Sequence, residues 1–120
     1  MKILIAEDEM TMRKIIEMKL KKDGHEVIVT SDGNEALEKI AFHNPDLIIT
    51  DIMMPFSSGL EIIGVVKKRP GKNVPIIVLS SLGQENVVLE AFNLGADDFI
   101  TKPFSPNELS MRVKRLQTAV

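Results

Sequence analysis

The apolar residues of this chain fall into short continuous runs at regular intervals. Five runs occur, at residues 3–6, 27–29, 47–49, 76–79 and 99–100. Continuous rather than alternating apolar residues are typical of strands covered on both faces, as in a parallel sheet with helices on either side. The pattern therefore predicts five buried strands.

Helix signals lie between and after these runs. Four helices are predicted between the runs. The first covers residues 10–23 and ends at Gly24, and the second begins at a cap at Ser31-Asp32 and ends at residue 44. The third covers residues 58–69 and the fourth residues 84–94. The last helix begins at Ser105-Pro106, where a Ser N-cap, Pro at the first helical position and Glu108 form a capping box. Its apolar residues Leu109, Val113 and Leu116 fall on one face. The result is an α/β fold, (βα)₅, with a doubly wound parallel five-stranded sheet in the order 2-1-3-4-5.

Composition limits the class of protein. A length of 120 residues predicts a single domain over residues 1–120. The chain has no Cys, no apolar stretch long enough to span a membrane and no signal-peptide pattern, so we expect a cytoplasmic protein without disulfides. The net charge is −2, so the chain lacks the broad positive potential of a protein that binds nucleic acid by itself.

The residues that follow the predicted strands carry the candidate chemistry. Right-handed crossovers place the carboxyl ends of all the strands at one edge of the sheet, where ligands bind. Each residue considered alone has an ordinary structural role. Acidic residues stabilise the N-terminus of a helix, serines occur in turns and caps, and a lysine is usually solvated at the surface. Their combination at one edge is what indicates a functional site. The residues concerned are Glu7, Asp8, Asp51, Ser80 and Lys102.

Three carboxylates in one cleft would raise one another's pKa unless a cation neutralised them. Oxygen ligands suit Mg²⁺ better than Zn²⁺, since the chain offers neither Cys nor a His cluster. The two positive charges of the metal and the charge of Lys102 would bring the site near neutrality. Such a site can accept a phosphoryl group on a carboxylate oxygen, and Asp51, at the end of the central strand, is the best-placed nucleophile.

Four stretches together identify a resemblance: "ILIAEDE", "DLIITDIMMP…SGLE", "PIIVLSS" and "GADDFITKPFSPNEL". In this order and spacing the chain resembles a receiver domain of two-component response regulators, from Lys2 to about Leu116. The resemblance implies a phosphorylation-activated signalling switch in the cytoplasm. Such a domain promotes its own phosphorylation and dephosphorylation but is not a conventional turnover enzyme.

The resemblance also implies roles for the site residues. Asp51 matches the aspartate that accepts a phosphoryl group from a sensor histidine kinase or from small acyl phosphates. Asp8 matches the direct carboxylate ligand of Mg²⁺, Glu7 the second acidic position, and Met53 the residue whose backbone carbonyl completes the protein ligands.

The remaining family positions match a phosphoryl-binding lysine and a switch pair. Lys102 corresponds to that lysine, with a cis bond to Pro103. Ser80 resembles the hydroxyl that binds a phosphoryl oxygen, and Phe99 the aromatic residue that changes rotamer with it. Met53 and Leu82 occupy positions that influence attack by water, and their apolar side chains predict slow loss of the phosphoryl group.

The resemblance predicts an output face on the fourth helix, fifth strand and last helix, with a partner or effector domain outside this chain. The apolar arc of the fourth helix is wider than a one-sided surface helix needs, and either neighbouring helices or a partner could cover it. Charged residues on this face resemble those that form ion pairs across the dimer of receivers joined to winged-helix DNA-binding domains, and this resemblance implies a homodimer. These residues are Asp97, Asp98, Arg112 and Arg115. Val88, where related receivers often carry a basic residue, departs from that pattern. No direct nucleic-acid or membrane binding is expected of this domain.

Three rival interpretations are weighed against the receiver. An FMN-binding flavodoxin-like domain would share the sheet, but Glu7-Asp8-Glu9 would repel the cofactor phosphate. A phosphatase of the haloacid dehalogenase type would need a second aspartate where Met53 stands. A pseudo-receiver that only binds proteins remains as the alternative, disfavoured by the intact acidic, Ser and Lys set. Phe56 stands where the family commonly has glycine, and the sequence leaves open whether its ring packs the loop, gates the site or meets the kinase.

Overall fold

The computed structural model of the protein describes residues 1–54 and 56–118. Strands and helices alternate along the chain as the sequence predicts. Their bounds are β1 Lys2–Ala6, α1 Met10–Lys22, β2 Glu26–Thr30, α2 Gly33–His43, β3 Leu47–Asp51, α3 Gly59–Lys68, β4 Ile76–Ser80, α4 Glu85–Leu94, β5 Asp98–Thr101 and α5 Pro106–Thr118. The strands form one parallel sheet in the order β2-β1-β3-β4-β5, so the predicted fold class is confirmed.

The two faces of the sheet bury two separate apolar clusters because successive side chains of a strand point to opposite faces. Leu4 and Ile48 face α2, α3 and α4, whereas Ile3 and Ile49 face α1 and α5. Every residue of β3 and β4 is buried. This two-sided burial is the reason that the strands read as continuous apolar runs.

Side-chain caps begin most of the helices. Asp32 accepts a hydrogen bond from Glu35 N, Ser105 accepts one from Glu108 N, and Ser58 forms a full capping box. Glu9, which the sequence did not mark as a cap, accepts hydrogen bonds from the first turn of α1. Among the described residues, no helix is both long and apolar enough to span a bilayer.

Candidate functional site

The acidic residues meet because of strand register. Ala6 of β1 lies opposite Thr50 of β3. The residues that follow them, Glu7 and Asp51, therefore lie side by side at the carboxyl edge of the sheet. Both side chains are buried, and Asp8 beside them is exposed. Asp51 is the last residue of β3 rather than the first residue after it, which ties its backbone to the ladder.

Each of the three acidic residues offers a carboxylate oxygen to one small cluster. The oxygens of Glu7, Asp8 and Asp51 lie within 4.8 Å of one another. Within the described chain, no other group of three His, Cys, Asp or Glu residues has this geometry. The three carboxylates that the sequence predicted at one edge of the sheet therefore form a cluster that could hold a metal ion.

Lys102 contacts both buried carboxylates. Its Nζ lies 2.8 Å from Glu7 Oε1 and 2.6 Å from Asp51 Oδ1. The backbone brings it there, because the Lys102 amide donates to the carbonyl of Ser80 at 2.6 Å, just beyond the end of β5. The peptide bond from Lys102 to Pro103 is cis, as the resemblance implied.

The pKa values of this cluster are set first by burial. Burial raises the pKa of the Asp51 carboxyl to about 9, and the adjacent Glu7 adds to the rise while Lys102 opposes it. Burial also opposes ionisation of Glu7, but its contacts with Asp51 and Lys102 prevail and lower its pKa. For Lys102, the two carboxyl groups outweigh burial and raise the pKa of the ammonium group. In the metal-free cluster, burial therefore favours the protonated form of the Asp51 carboxyl.

Two buried oxygens fit a bound cation. Glu7 Oε1 and Asp51 Oδ1 are buried and both contact the Lys102 ammonium, at 2.8 and 2.6 Å. Each carboxylate oxygen has two lone pairs, so one on each remains for a further cation. Carboxylate oxygens on one partly open cluster are the donors that Mg²⁺ takes in proteins. The residues present therefore fit the metal that the sequence predicts.

Ser80 and Phe99 lie on the neighbouring strands β4 and β5. Ser80, the last residue of β4, is buried next to the Lys102 backbone. The Phe99 ring is partly exposed, as is that of Phe92 on α4, and the two pack edge-on with ring centroids 5.8 Å apart. A cavity of about 310 Å³ extends from Ser80 to these two rings. The structure thus joins the edge of the acidic site to the face of α4 through one continuous surface.

The wide apolar arc of α4 is covered in part. Val88 and Ala91 are buried in the core, whereas Leu89, Phe92 and Leu94 are exposed. The sequence left open whether neighbouring helices or a partner covers this apolar arc. In the structure one part of it is buried in the core, and another part faces solvent.

The charged residues of the predicted output face are paired within one chain. Arg112 Nη1 lies 2.7 Å from Asp98 Oδ1 and Arg115 Nη2 lies 2.8 Å from Asp98 Oδ2. Asp97 instead contacts Lys67 of α3 at 2.9 Å and accepts a hydrogen bond from the Ile76 amide. The sequence suggested ion pairs across a dimer, but Asp98 holds α5 against its own β5.

The loop between β3 and α3 departs from regular backbone at Phe56, whose φ of 71° lies in the left-handed region. The loop is also tightly packed, since a Cβ built on Gly33 would lie 1.8 Å from the Ser57 carbonyl oxygen, and one on Gly59 would lie 2.3 Å from that of Asp51. Sequence reasoning did not identify these close approaches. Pro55, which the sequence placed in this turn, lies outside the described residues, and ligation by the Met53 carbonyl stays a prediction.

Comparisons with known proteins agree on one family. Residues 3–114 match the family model described as the response regulator receiver domain. The chain is 39% identical over 115 residues to the "probable transcriptional regulator ycf27" of Cyanophora paradoxa, covering 96% of this chain and 47% of that protein. The protein of the same name from Guillardia theta is 42% identical over 113 residues, covering 94% and 44%. The chain thus spans less than half the length of these curated relatives.

Solved structures agree with the fold. The signal receiver domain of a signal transduction histidine kinase from Syntrophus aciditrophicus superposes with a TM-score of 0.90 at 35% identity, covering 99% of this chain and 91% of that one. The chemotaxis response regulator CheY4 of Vibrio cholerae superposes with a TM-score of 0.88 at 31% identity, covering 95% and 96%. Nearly the whole length of each structure is matched.

Proposed function

Since this chain belongs to the response regulator receiver domain family, we propose that it is a phosphorylation-activated switch of a two-component system. Asp51 accepts a phosphoryl group from a sensor histidine kinase in a Mg²⁺-dependent reaction. The observation that carries this proposal is the contact of Lys102 Nζ with two buried carboxylates, Glu7 and Asp51, at 2.8 and 2.6 Å. Three side chains from three separate strand ends would have no structural reason to share one buried, partly unsatisfied site.

Asp51 is the nucleophile in this proposal. Its carboxylate lies at the carboxyl end of the central strand β3, where the backbone on both sides is held by the ladder to β1 and β4. The reacting carboxylate must be ionised, so the proton favoured by burial leaves before or during attack. Lys102, in contact with Asp51 Oδ1, is positioned to neutralise negative charge on the transferred group.

Glu7, Asp8 and Asp51 are the side chains that would hold Mg²⁺, with the Met53 carbonyl as the further ligand that the family resemblance implies. When bound, the metal supplies positive charge that neutralises phosphoryl oxygens. Contacts with Asp51 and Lys102 lower the pKa of Glu7, so its carboxylate would be available to a bound metal. The Glu9 amide donates to Glu7 Oε2 at 3.0 Å and orients that carboxylate.

The signal leaves, in this proposal, through Ser80 and Phe99. The Ser80 hydroxyl binds a phosphoryl oxygen, and Phe99 turns with it, which changes the contact with Phe92 on α4. Arg112, which donates to the Phe99 carbonyl at 3.1 Å, extends the same change to α5. The face formed by α4, β5 and α5 then controls a partner or an effector domain. The curated relatives named as transcriptional regulators are more than twice as long as this chain, which leaves room for such a domain in them.

A homodimer through this face is part of the proposal. Because Asp98 is paired with Arg112 and Arg115 of its own chain, dimer formation would rearrange existing ion pairs rather than join free charges. Sedimentation with and without beryllofluoride and Mg²⁺ tests the dimer. A shift to dimer with beryllofluoride is expected, and a monomer under both conditions contradicts it.

Phosphorylation itself is tested by mass spectrometry after incubation with acetyl phosphate and Mg²⁺. The native protein should gain the mass of one phosphoryl group and Asp51→Asn should gain none. Asp32→Asn is the matched control, because Asp32 follows β2 and caps α2, and Asn caps helices equally well. Undiminished labelling of Asp51→Asn would refute the assignment, and loss of labelling in both variants would show that the effect is not specific to Asp51.

A further inference from the structure

Phe56 combines two properties that each lower the stability of the folded protein. Its φ of 71° is a left-handed conformation, which brings the Cβ of any residue other than glycine close to its own backbone. Its side chain is 79% exposed, so burial of the ring does not offset that strain. A glycine at this position would relieve the strain and expose less apolar surface. The identity of Phe56 is therefore not explained by the stability of the fold.

Ser57, the residue after Phe56, is anchored to α2. Ser57 is buried, and its hydroxyl donates to Asn34 Oδ1 at 2.8 Å. The Ser57 carbonyl lies directly against Gly33, where there is no room for a Cβ. These contacts hold Ser57 on the N-terminus of α2, while the neighbouring Phe56 side chain stays exposed.

The same loop is closed against the proposed phosphorylation site. Gly59 N donates to the carbonyl of Ile52 at 3.0 Å, and Gly59 approaches the Asp51 carbonyl so closely that a Cβ would clash. The two ends of the loop therefore lie close together at Asp51, and Phe56 is part of the short loop between them. Met53 in the same loop and Leu82, just after the adjacent strand β4, are also large apolar residues exposed to solvent.

We propose that Phe56 is a positioning residue for phosphotransfer from a protein donor: its ring enters an apolar pocket next to the phosphohistidine of a histidine kinase and aligns that residue with Asp51. This proposal rests on the function proposed above. Transfer breaks the P–N bond of the phosphohistidine and forms a P–O bond to an Asp51 carboxylate oxygen. The electron pair of the broken bond stays on the ring nitrogen, which returns as part of a neutral imidazole.

The position of Phe56 favours the phosphoryl-donor protein as its binding partner. Asp51 is only 3% exposed, so any protein that phosphorylates it must cover the surrounding edge of the sheet, including the loop that carries Phe56. An aromatic ring gives a large contact area at little cost in side-chain conformational entropy, and aromatic residues often dominate the binding energy of interfaces. A small donor such as phosphoramidate spans only the carboxylate cluster and gains nothing from the ring.

The test separates protein donors from small donors. Phe56→Gly and Phe56→Ala are compared with Phe42→Ala, a matched control because Phe42 is 81% exposed on α2. Each variant is labelled by phosphoramidate with Mg²⁺, and by an autophosphorylated kinase core chosen because it labels the native protein. We expect at least a tenfold lower kcat/KM from the kinase for both Phe56 variants, through a higher KM and, because alignment is lost, a lower kcat. Labelling by phosphoramidate should be unchanged, and Phe56→Tyr should restore transfer.

Folding does not confound this result, since Phe56→Gly is expected to fold at least as well as the native protein. Unchanged transfer from the kinase overturns the proposal. An equal loss with phosphoramidate also overturns it, because the ring would then act on the carboxylate site and not on the donor. An equal loss in Phe42→Ala would mean that any exposed aromatic residue has this effect, which overturns it as well. Failure of phosphoramidate to label the native protein contradicts the proposed function instead.

Discussion

Replacing Asp51 by Asn should stabilise the metal-free protein. The carboxyl of Asp51 has a pKa of about 9 when folded, against 3.8 for the ordinary side chain, chiefly because it is buried. Near pH 7 it must therefore take up a proton on folding. Each pH unit above the ordinary pKa costs about 1.4 kcal/mol, so at pH 7 the native carboxyl lowers the free energy of unfolding by about 4 kcal/mol relative to pH 4. An asparagine has no such proton to acquire.

The pH dependence gives this expectation its sign. A carboxyl whose pKa is raised in the folded state makes the protein less stable as pH increases, from its unfolded pKa up to its folded pKa. For Asp51 that interval runs from 3.8 to about 9. The lowered pKa of Glu7 acts in the opposite sense and only at more acidic pH, where its stabilising contribution is lost as pH falls. The advantage of Asp51→Asn should therefore be small at pH 4 and grow steadily up to about pH 9.

Urea unfolding in EDTA at pH 4, 5, 6, 7 and 8 measures the difference. Far-UV circular dichroism is the appropriate probe, because the chain contains no Trp or Tyr. Asp32→Asn again serves as the control and should leave the pH dependence unchanged. A stability difference that does not vary with pH, or an Asp51→Asn variant less stable than the native protein at pH 7, would refute the argument from burial.

Three further outcomes follow from the same structure. If Asp51 is a ligand of Mg²⁺, as proposed, its carboxyl must lose a proton before the metal binds. The apparent affinity for Mg²⁺ should then rise by up to about tenfold per pH unit from pH 6 towards 9, with proton release. Calorimetry in two buffers measures both quantities, and equal affinities at pH 6 and 8 would contradict the expectation. Gly64→Ala in α3 should stabilise the fold by about 0.5–1 kcal/mol, since its Cβ meets nothing within 4 Å, whereas Gly59→Ala should destabilise it through a contact of 2.3 Å with the Asp51 carbonyl oxygen. Thermal unfolding ranks the two, and the reverse order would refute the packing described. Phe56→Gly should gain about 0.5–1 kcal/mol, because relief of left-handed strain exceeds the chain entropy of glycine; a loss in urea unfolding would show that the ring is stabilising.

Much of the fold could be predicted because its signals are local. The continuous apolar runs correspond to β1, β3, β4 and the core of β2 and β5, and the caps at Asp32, Ser58 and Ser105 begin their helices. Boundaries were the weaker part. Asp51 and Ser80 belong to their strands because the ladder continues to the last residue before the edge. A polar residue at a strand end gives no sequence signal of that continuation.

The arrangement of ion pairs was less predictable. Asp98 and Arg112 are 14 residues apart, and charge placement alone does not distinguish a pair within one chain from a pair across a dimer. The choice depends on how α5 lies against β5. That geometry follows from burial of Leu109 and Val113 on the sheet, which turns the arginines of α5 towards Asp98.

Local patterns were enough to place the candidate residues at one edge of the sheet, because alternating strands and helices of fixed handedness bring the carboxyl end of every strand there. Glu7, Asp8, Asp51, Ser80 and Lys102 could therefore be identified together. The contact of buried Glu7 and Asp51 with Lys102, and the raised pKa of Asp51 that follows from burial, emerge only from the three-dimensional packing. The left-handed backbone of Phe56 likewise appears only in the folded chain. Desolvation and backbone strain depend on what surrounds a residue in three dimensions, and no local pattern of residues records them.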